Sequence, residues 1–282
     1  MTLLQDGREA YPAMLKAIEQ ARHTVHLETY ILRADRTGRR FGEALAGAAR
    51  RGVAVRLLYD AFGSLGLDRD LPDSLEEAGV KVLAYGPIGL GSLPGGFQRR
   101  DHRKILVADG SLGFTGGLNI ADEYAPREEG GGGWRDLHVR VEGPAAARLD
   151  SEFLGLWNRL RGERVPFPPE SSSGPGAAWV GVLANRNLLF RTRIRRATCR
   201  ALEAALGSVV ISSAYFIPDG RIIRALRRAA GRGVKVRILV PASGDVPLAA
   251  LAGRHVFGRL LSGGVRIFLF QGVMLHSKAM SV

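Results

Sequence analysis

The chain has 282 residues, 46% of them hydrophobic, with 40 Lys and Arg against 27 Asp and Glu and a formal charge of +13. That length allows two ordinary domains or one large duplicated one, the apolar share excludes a disordered chain, and the charge predicts an anionic partner, either nucleic acid or an acidic membrane surface. Cys199 is the only cysteine, which excludes an internal disulfide and points to a reducing compartment, while no apolar run reaches the ~20 residues of a membrane-spanning helix.

The N-terminus, MTLLQDGREAYPAML, has no signal-peptide layout. Met14, Ile18 and Ala21 recur at helical spacing and predict a helix over residues 11–22. Residues 23–32 (HTVHLETYIL) read as a buried strand, residues 38–51 as a helix with Phe41, Leu45 and Ala48 on one face, and residues 53–59 as a second strand after Gly52. A short helix over 71–78 and a strand over 80–85 follow. A Gly-rich apolar loop over 86–97 then delivers the chain to His102. Two apolar runs, Ile105 to Val107 and Leu112 to Phe114, flank Asp109-Gly110 and predict a hairpin. Residues 137–141 form another strand, and Pro144 opens a helix through Phe153 to Leu160, placed where its missing N–H costs little. Residues 165–178 (VPFPPESSSGPGAA) have linker composition.

Beyond the linker the earlier pattern returns. Ala201-Leu202-Glu203 and SVVISSAYFIPD echo Ala17-Ile18-Glu19 and TVHLETYILRAD. The run from Ala229 to Arg237 echoes Ala48 to Arg56 at an offset of 181, and His276-x-Lys278 echoes His102-x-Lys104 at an offset of 174. Three matched blocks in one order imply internal duplication. The expected architecture is a duplicated α/β sandwich whose two pseudo-twofold-related halves have mostly parallel sheets flanked by helices. The first half spans 1–162, a linker 163–178, and the second half 179–282.

Strand alternation puts His102 and Lys104 on one face. A cation there offers charge to a phosphate, and an imidazole attacks phosphorus or moves a proton near neutral pH. Two such pairs meeting at one cleft suit double displacement, in which a neutral histidine attacks and a protonated one donates to the leaving alcohol. Lys104 and Lys278 hold the non-bridging oxygens, and Asn119 donates a further hydrogen bond. No metal or other cofactor is expected, since no carboxylate or Cys/His cluster has ligand spacing.

His102-x-Lys104-x4-Asp109-x6-Gly116-Gly117-x-Asn119 resembles the motif of the phospholipase D superfamily. RDHRKILVADGSLGFTGGLNIADEY, followed by Trp134-Arg135-Asp136 and LHVRVEGP, is closer still to bacterial cardiolipin synthases. The resemblance extends to Asp60-Ala61-Phe62-Gly63-Ser64 and Tyr215-Phe216-Ile217-Pro218-Asp219, and so covers nearly the whole chain. It implies a phosphatidyltransferase working through a phosphohistidine, with phosphatidylglycerol as donor and acceptor. It implies His102, Lys104, Asp109, His276 and Lys278 as catalytic residues, with Asn119, Gly117 and Asp136 supporting the phosphate site. Asp136 is expected to fix the tautomer of a motif histidine, taken as His102, the nucleophile, with His276 the general acid. The protein is expected on the inner face of a bacterial membrane, bound peripherally to anionic phospholipid and not to nucleic acid. A phospholipase D, a phosphodiesterase or nuclease of the same superfamily, and an inactive fragment are the alternatives.

Several residues have a plainer reading. Asp109 serves either the chemistry or the hairpin turn, and Gly116-Gly117 either the phosphate or a close backbone approach. Glu28 is read as a satisfied core carboxylate before a site residue. His23, His26, His138 and His255 are read as packing or surface residues, and Cys199 as a small buried hydrophobe. The loop bearing Ile88, Leu90, Leu93 and Phe97 either dips into lipid or is covered. Only four residues follow Lys278, so the second motif lacks its aspartate. The strand bearing it is therefore expected to fray and to leave little activity.

Overall fold

The computed structural model describes residues 1–87, 100–168, 176, 178–185 and 192–282. The apolar side chains Ile88, Leu90, Leu93 and Phe97 and most of the linker stretch lie outside the described residues. The chain divides into two compact units: Met1–Gly133 with Leu137–Val182, and Trp134–Asp136 with Leu183–Val282.

Unit 1 runs β1 (Thr2–Gln5), α1 (Asp6–Gln20), β2 (Thr24–Thr29), α2 (Arg36–Arg50), β3 (Ala54–Asp60), α3 (Asp70–Glu77), β4 (Lys81–Tyr85), β5 (Ile105–Ala108), β6 (Leu112–Gly116), β7 (Leu137–Glu142) and α4 (Pro144–Arg161). Its sheet has the order β1-β7-β6-β5-β2-β3-β4. Only β2–β3 and β3–β4 are parallel; the other four pairings are antiparallel. The sheet is therefore mixed rather than mostly parallel, because β5 returns against β2 and a tight turn joins it to β6, which only antiparallel neighbours permit. In that turn Asp109 and Gly110 both take positive φ, 51° and 63°, and Ser111 N–H donates to Ala108 C=O, as a two-residue hairpin turn requires. β1 was not legible because it is short and shows too little alternation to read.

Apolar periodicity places the helices. Phe41, Leu45 and Ala48 of α2 are buried as their spacing predicts, and Asp35 caps the helix by accepting from Gly38 N–H at 2.9 Å. α4 covers β5 and β6 and brings Phe153 against the buried His26, with the rings stacked at 4.8 Å. His26 also bonds Asp150 at 2.5 Å, so it is a packing residue tied to α4.

Unit 2 runs α5 (Arg193–Ala204), β8 (Ser208–Ser213), α6 (Gly220–Gly231), β9 (Lys235–Pro241), α7 (Pro247–His255), α8 (Phe257–Leu261), β10 (Arg266–Phe270) and β11 (Lys278–Ser281). Its strand order, β10-β9-β8-β11, repeats β4-β3-β2-β5 with the same directions. Asp219 caps α6 as Asp35 caps α2, accepting from Arg221 and Ile222 N–H. β11 does not fray: it pairs antiparallel with β8 from Lys278–Ser213 to Ser281–Val210, and Met280 packs on the core of the unit. The backbone partners of β8 hold the strand, which the sequence-based expectation of a loose end had not counted.

Candidate active site

Both His-x-Lys pairs sit where their chains enter a strand. In unit 1 the pair precedes β5, so His102 stays exposed while Lys104 is 5% exposed. The Lys104 ammonium donates to the His102 carbonyl at 2.9 Å and lies 3.3 Å from His102 Nδ1. Tyr30, just past the end of β2, lies beneath the pair: its ring is 4.5 Å from the His102 ring and 5.2 Å from Lys104 Nζ. An aromatic face attracts a cation and helps keep a desolvated ammonium charged.

Unit 2 repeats the arrangement. The Lys278 ammonium donates to the His276 carbonyl at 2.7 Å and lies 3.2 Å and 3.1 Å from its Nδ1 and Nε2. Tyr215, just past β8, stands edge-on to His276 at 5.9 Å and under Lys278 Nζ at 5.6 Å. Its hydroxyl donates to the Asp245 carboxylate at 2.8 Å. Although Lys278 as a residue is exposed, desolvation of its amine lowers it to about 8, against the raising influence of Asp136 and Asp245.

Asp136 was expected to orient His102; it bonds His276 instead. Its Oδ2 lies 2.7 Å from His276 Nδ1, with both side chains buried. The backbone explains the choice: Arg135 N–H donates to Met274 C=O and His276 N–H to Arg135 C=O, clipping Trp134–Asp136 onto the second motif. Trp134 completes the wall, 5.7 Å from the His276 ring.

Three other expected site residues take structural positions. Asp109 lies at the far end of β5 from His102, where its carboxylate accepts N–H bonds from Arg22, His23 and Thr24 at 2.7–3.2 Å. The backbone bonds hold its carboxyl below the usual range against the opposing effect of burial. Asn119 is 1% exposed and both ends of its amide are engaged: Nδ2 donates to Tyr124 Oη at 2.6 Å and Oδ1 accepts from Ile31 N–H at 3.1 Å. That locks the segment after β6 to the segment that carries Tyr30. A Cβ on Gly116 would meet Leu137 C=O at 2.4 Å, so a close strand approach accounts for the first glycine, while Gly117 N–H donates to Leu137 C=O.

Sequence reasoning missed the support behind the first motif. Arg103, between His102 and Lys104, points away from them to the buried Glu28, 2.6 Å away, and to Asp101 at 3.2 Å. Burial, joined by the neighbouring Asp101 carboxyl, pushes Glu28 well above its ordinary value, while Arg103 is raised by the two carboxylates. Asp60, fully buried, accepts from Asp101 N–H at 2.8 Å and holds the approach to His102. The tyrosines were within reach, because Tyr30 and Tyr215 stand one position out of step at the same place in the repeated blocks, just past β2 and β8.

A family model described as "Cardiolipin synthase, PLD-like domain" matches residues 14–157 and 198–282. The chain is 38% identical over 285 residues to the cardiolipin synthase of Geobacillus thermodenitrificans (strain NG80-2), covering 99% of this chain and 57% of that protein. It is 37% identical over 293 residues to that of Alkalihalophilus pseudofirmus, covering 99% and 56%. It thus spans little more than half the length of these curated relatives. In fold it is similar to the phosphatidylserine synthase of Haemophilus influenzae Rd KW20, with a TM-score of 0.66 at 14% identity over 99% of this chain and 75% of that one. With a family model matching most of its length and two motif sites of one build, the chain belongs to the family of cardiolipin synthases with phospholipase D-like domains.

Proposed function

We propose that the protein is a phosphatidyltransferase of the cardiolipin synthase type, joining two phosphatidylglycerol molecules at an anionic membrane surface. The observation that carries this reading is the repeated site: in each unit a motif lysine bonds its histidine's carbonyl and rests on a tyrosine ring. Metal-free double displacement at a phosphodiester uses such parts. His102, exposed and beside the Lys104 ammonium, attacks phosphorus as a neutral imidazole. The bond from phosphorus to the glycerol oxygen breaks, and His276 gives that oxygen a proton, releasing glycerol. His276 then takes the proton of a second phosphatidylglycerol hydroxyl, whose oxygen displaces His102 and forms cardiolipin. Asp136 holds the proton on His276 Nδ1 and stabilises the imidazolium, which supports His276 as the acid and base. Lys104 and Lys278 neutralise the charge gathering on the non-bridging oxygens. Asp109, Asn119 and Gly117 are assigned to the scaffold.

The test is mass-spectrometric analysis of products from phosphatidylglycerol vesicles, followed by acid-labile phosphate mapping. Cardiolipin and glycerol, lost in His102→Ala and in His276→Ala, support the reading. Phosphatidic acid as the sole product makes the protein a hydrolase, and cleavage of DNA in place of lipid makes it a nuclease. Phosphate trapped only on His276 reverses the two histidine roles.

A further inference from the structure

The chain's charge is unevenly shared. Of the 40 Lys and Arg, 18 lie in unit 2, together with only four of the 27 Asp and Glu, so unit 2 carries a formal +14 and unit 1 carries −1. Residues 246–282 contain Arg254, Arg259, Arg266 and Lys278 and no acidic residue at all.

In this basic unit α7 is built inside out. Gly253 faces the protein, where a Cβ would meet Phe216 C=O at 2.9 Å, and Ala249 and Ala250 are half-buried. The large apolar residues point the other way: Leu248 is 80% and Leu251 68% exposed, on one face at i, i+3 spacing. Val246, just before the helix, is 44% exposed, and Ile217, next to the Phe216 on which α7 rests, is 53% exposed. A surface helix ordinarily turns such residues inward. An exposed apolar group of this kind marks a contact surface. Its place is beside the second motif, since Asp245 takes the hydroxyl of Tyr215, whose ring lies against His276 and Lys278. Arg254, in the last turn of α7, adds a cation to the helix itself, and Arg221 and Arg224 of α6 are further exposed cations of the same unit.

We propose that α7, with Val246 and Ile217, is the surface by which unit 2 docks on an anionic phospholipid bilayer, its leucines entering the interface while the basic charge of the unit, Arg254 included, is drawn to the headgroups. The inference rests on the reading that the substrate is a phospholipid, and it names the part of the molecule that meets it. Charge and apolarity together choose the occupant. A second copy of a unit at +14 repels the first, and a nucleic acid gains nothing from exposed leucines, whereas an anionic bilayer rewards both features.

The experiment is co-sedimentation of the whole chain with vesicles of phosphatidylglycerol and phosphatidylcholine, or of phosphatidylcholine alone, at low and moderate salt. Binding at least ~10-fold tighter to the anionic vesicles is expected, weakening with salt. Leu248→Ser with Leu251→Ser should weaken it by at least ~10-fold, with an unchanged circular dichroism spectrum, because both side chains are already in water. Leu206→Ser, at a leucine still more exposed than these two and at the opposite end of β8, should stay within about 2-fold of the parent, since it lies outside the patch. Unchanged binding by the double variant overturns the proposal. So does a lipid-free dimer that the double variant abolishes, or displacement from vesicles by RNA with equal affinity in parent and double variant. Binding is read without turnover, so a chain that docks through α7 and makes no cardiolipin overturns the catalytic reading alone.

Discussion

Asp109→Ala separates the two roles open to that residue. The carboxylate accepts from the backbone of Arg22, His23 and Thr24, which ties the β5–β6 turn to the start of β2. A bond to a charged acceptor is worth about 1.5–3 kcal/mol when buried; these amides are largely exposed and rehydrate, so about 1 kcal/mol each is appropriate. Alanine is also strained at the φ of 51° that Asp109 adopts, which adds ~1 kcal/mol. The expected loss for unit 1 is about 4 kcal/mol, a drop in Tm of roughly 8–16 °C for a unit of this size. Asn keeps one acceptor and tolerates positive φ, so Asp109→Asn should cost about half as much. Urea unfolding followed by the buried Trp157 in a Trp134→Phe background reports on unit 1 separately from unit 2, whose one tryptophan is Trp134. The lowered carboxyl supplies stability that is present above its unfolded value and is lost as pH falls through the folded one. The gap between parent and Asp109→Ala should therefore narrow as pH falls below about 4, leaving the backbone strain of the alanine. A variant with parental stability and no turnover would refute the structural assignment.

Lys278, lowered to about 8, should lose its charge as pH rises through that value, so transfer activity should fall on an alkaline limb near pH 8 that Lys278→Arg moves upward; a limb unmoved in the variant assigns it to another group. The same lowering means that the charged amine costs stability below about 8 and that the cost is relieved as pH rises toward the unfolded value of ~10.4. Asp136→Asn should reduce kcat by about 100-fold or more while vesicle binding persists; a loss confined to KM would show that Asp136 does not act through His276. Arg103→Ala leaves the buried Glu28 carboxylate without its cation and should destabilise unit 1 by roughly 3 kcal/mol, with Glu28→Gln in the same chain restoring most of it; absence of that rescue in urea melts would show that the pair is uncoupled.

By itself the amino-acid sequence determined the features that local chemistry sets. Apolar periodicity located α2 and α4 within a few residues, Asp109-Gly110 specified the hairpin turn, and the repeated blocks disclosed the duplication, whose shared strand order the structure then supplied. The two His-x-Lys pairs were equally legible as a repeat, because residue type and spacing identify them, and in each the lysine bonds its histidine's carbonyl. Tertiary structure decided which distant groups those side chains meet. Asp136 is sequentially nearer the first motif but belongs to the second, because a backbone clip between Arg135 and the Met274–His276 segment overrides chain distance. Asn119 and Asp109 are polar motif residues of the kind that binds phosphate, yet their hydrogen-bonding capacity is turned to backbone and tyrosine partners up to 88 positions away. The direction of a strand such as β5, the pairing that keeps β11 from fraying, and the outward turn of the α7 leucines all depend on contacts made only after the chain has folded, and no local pattern encodes them.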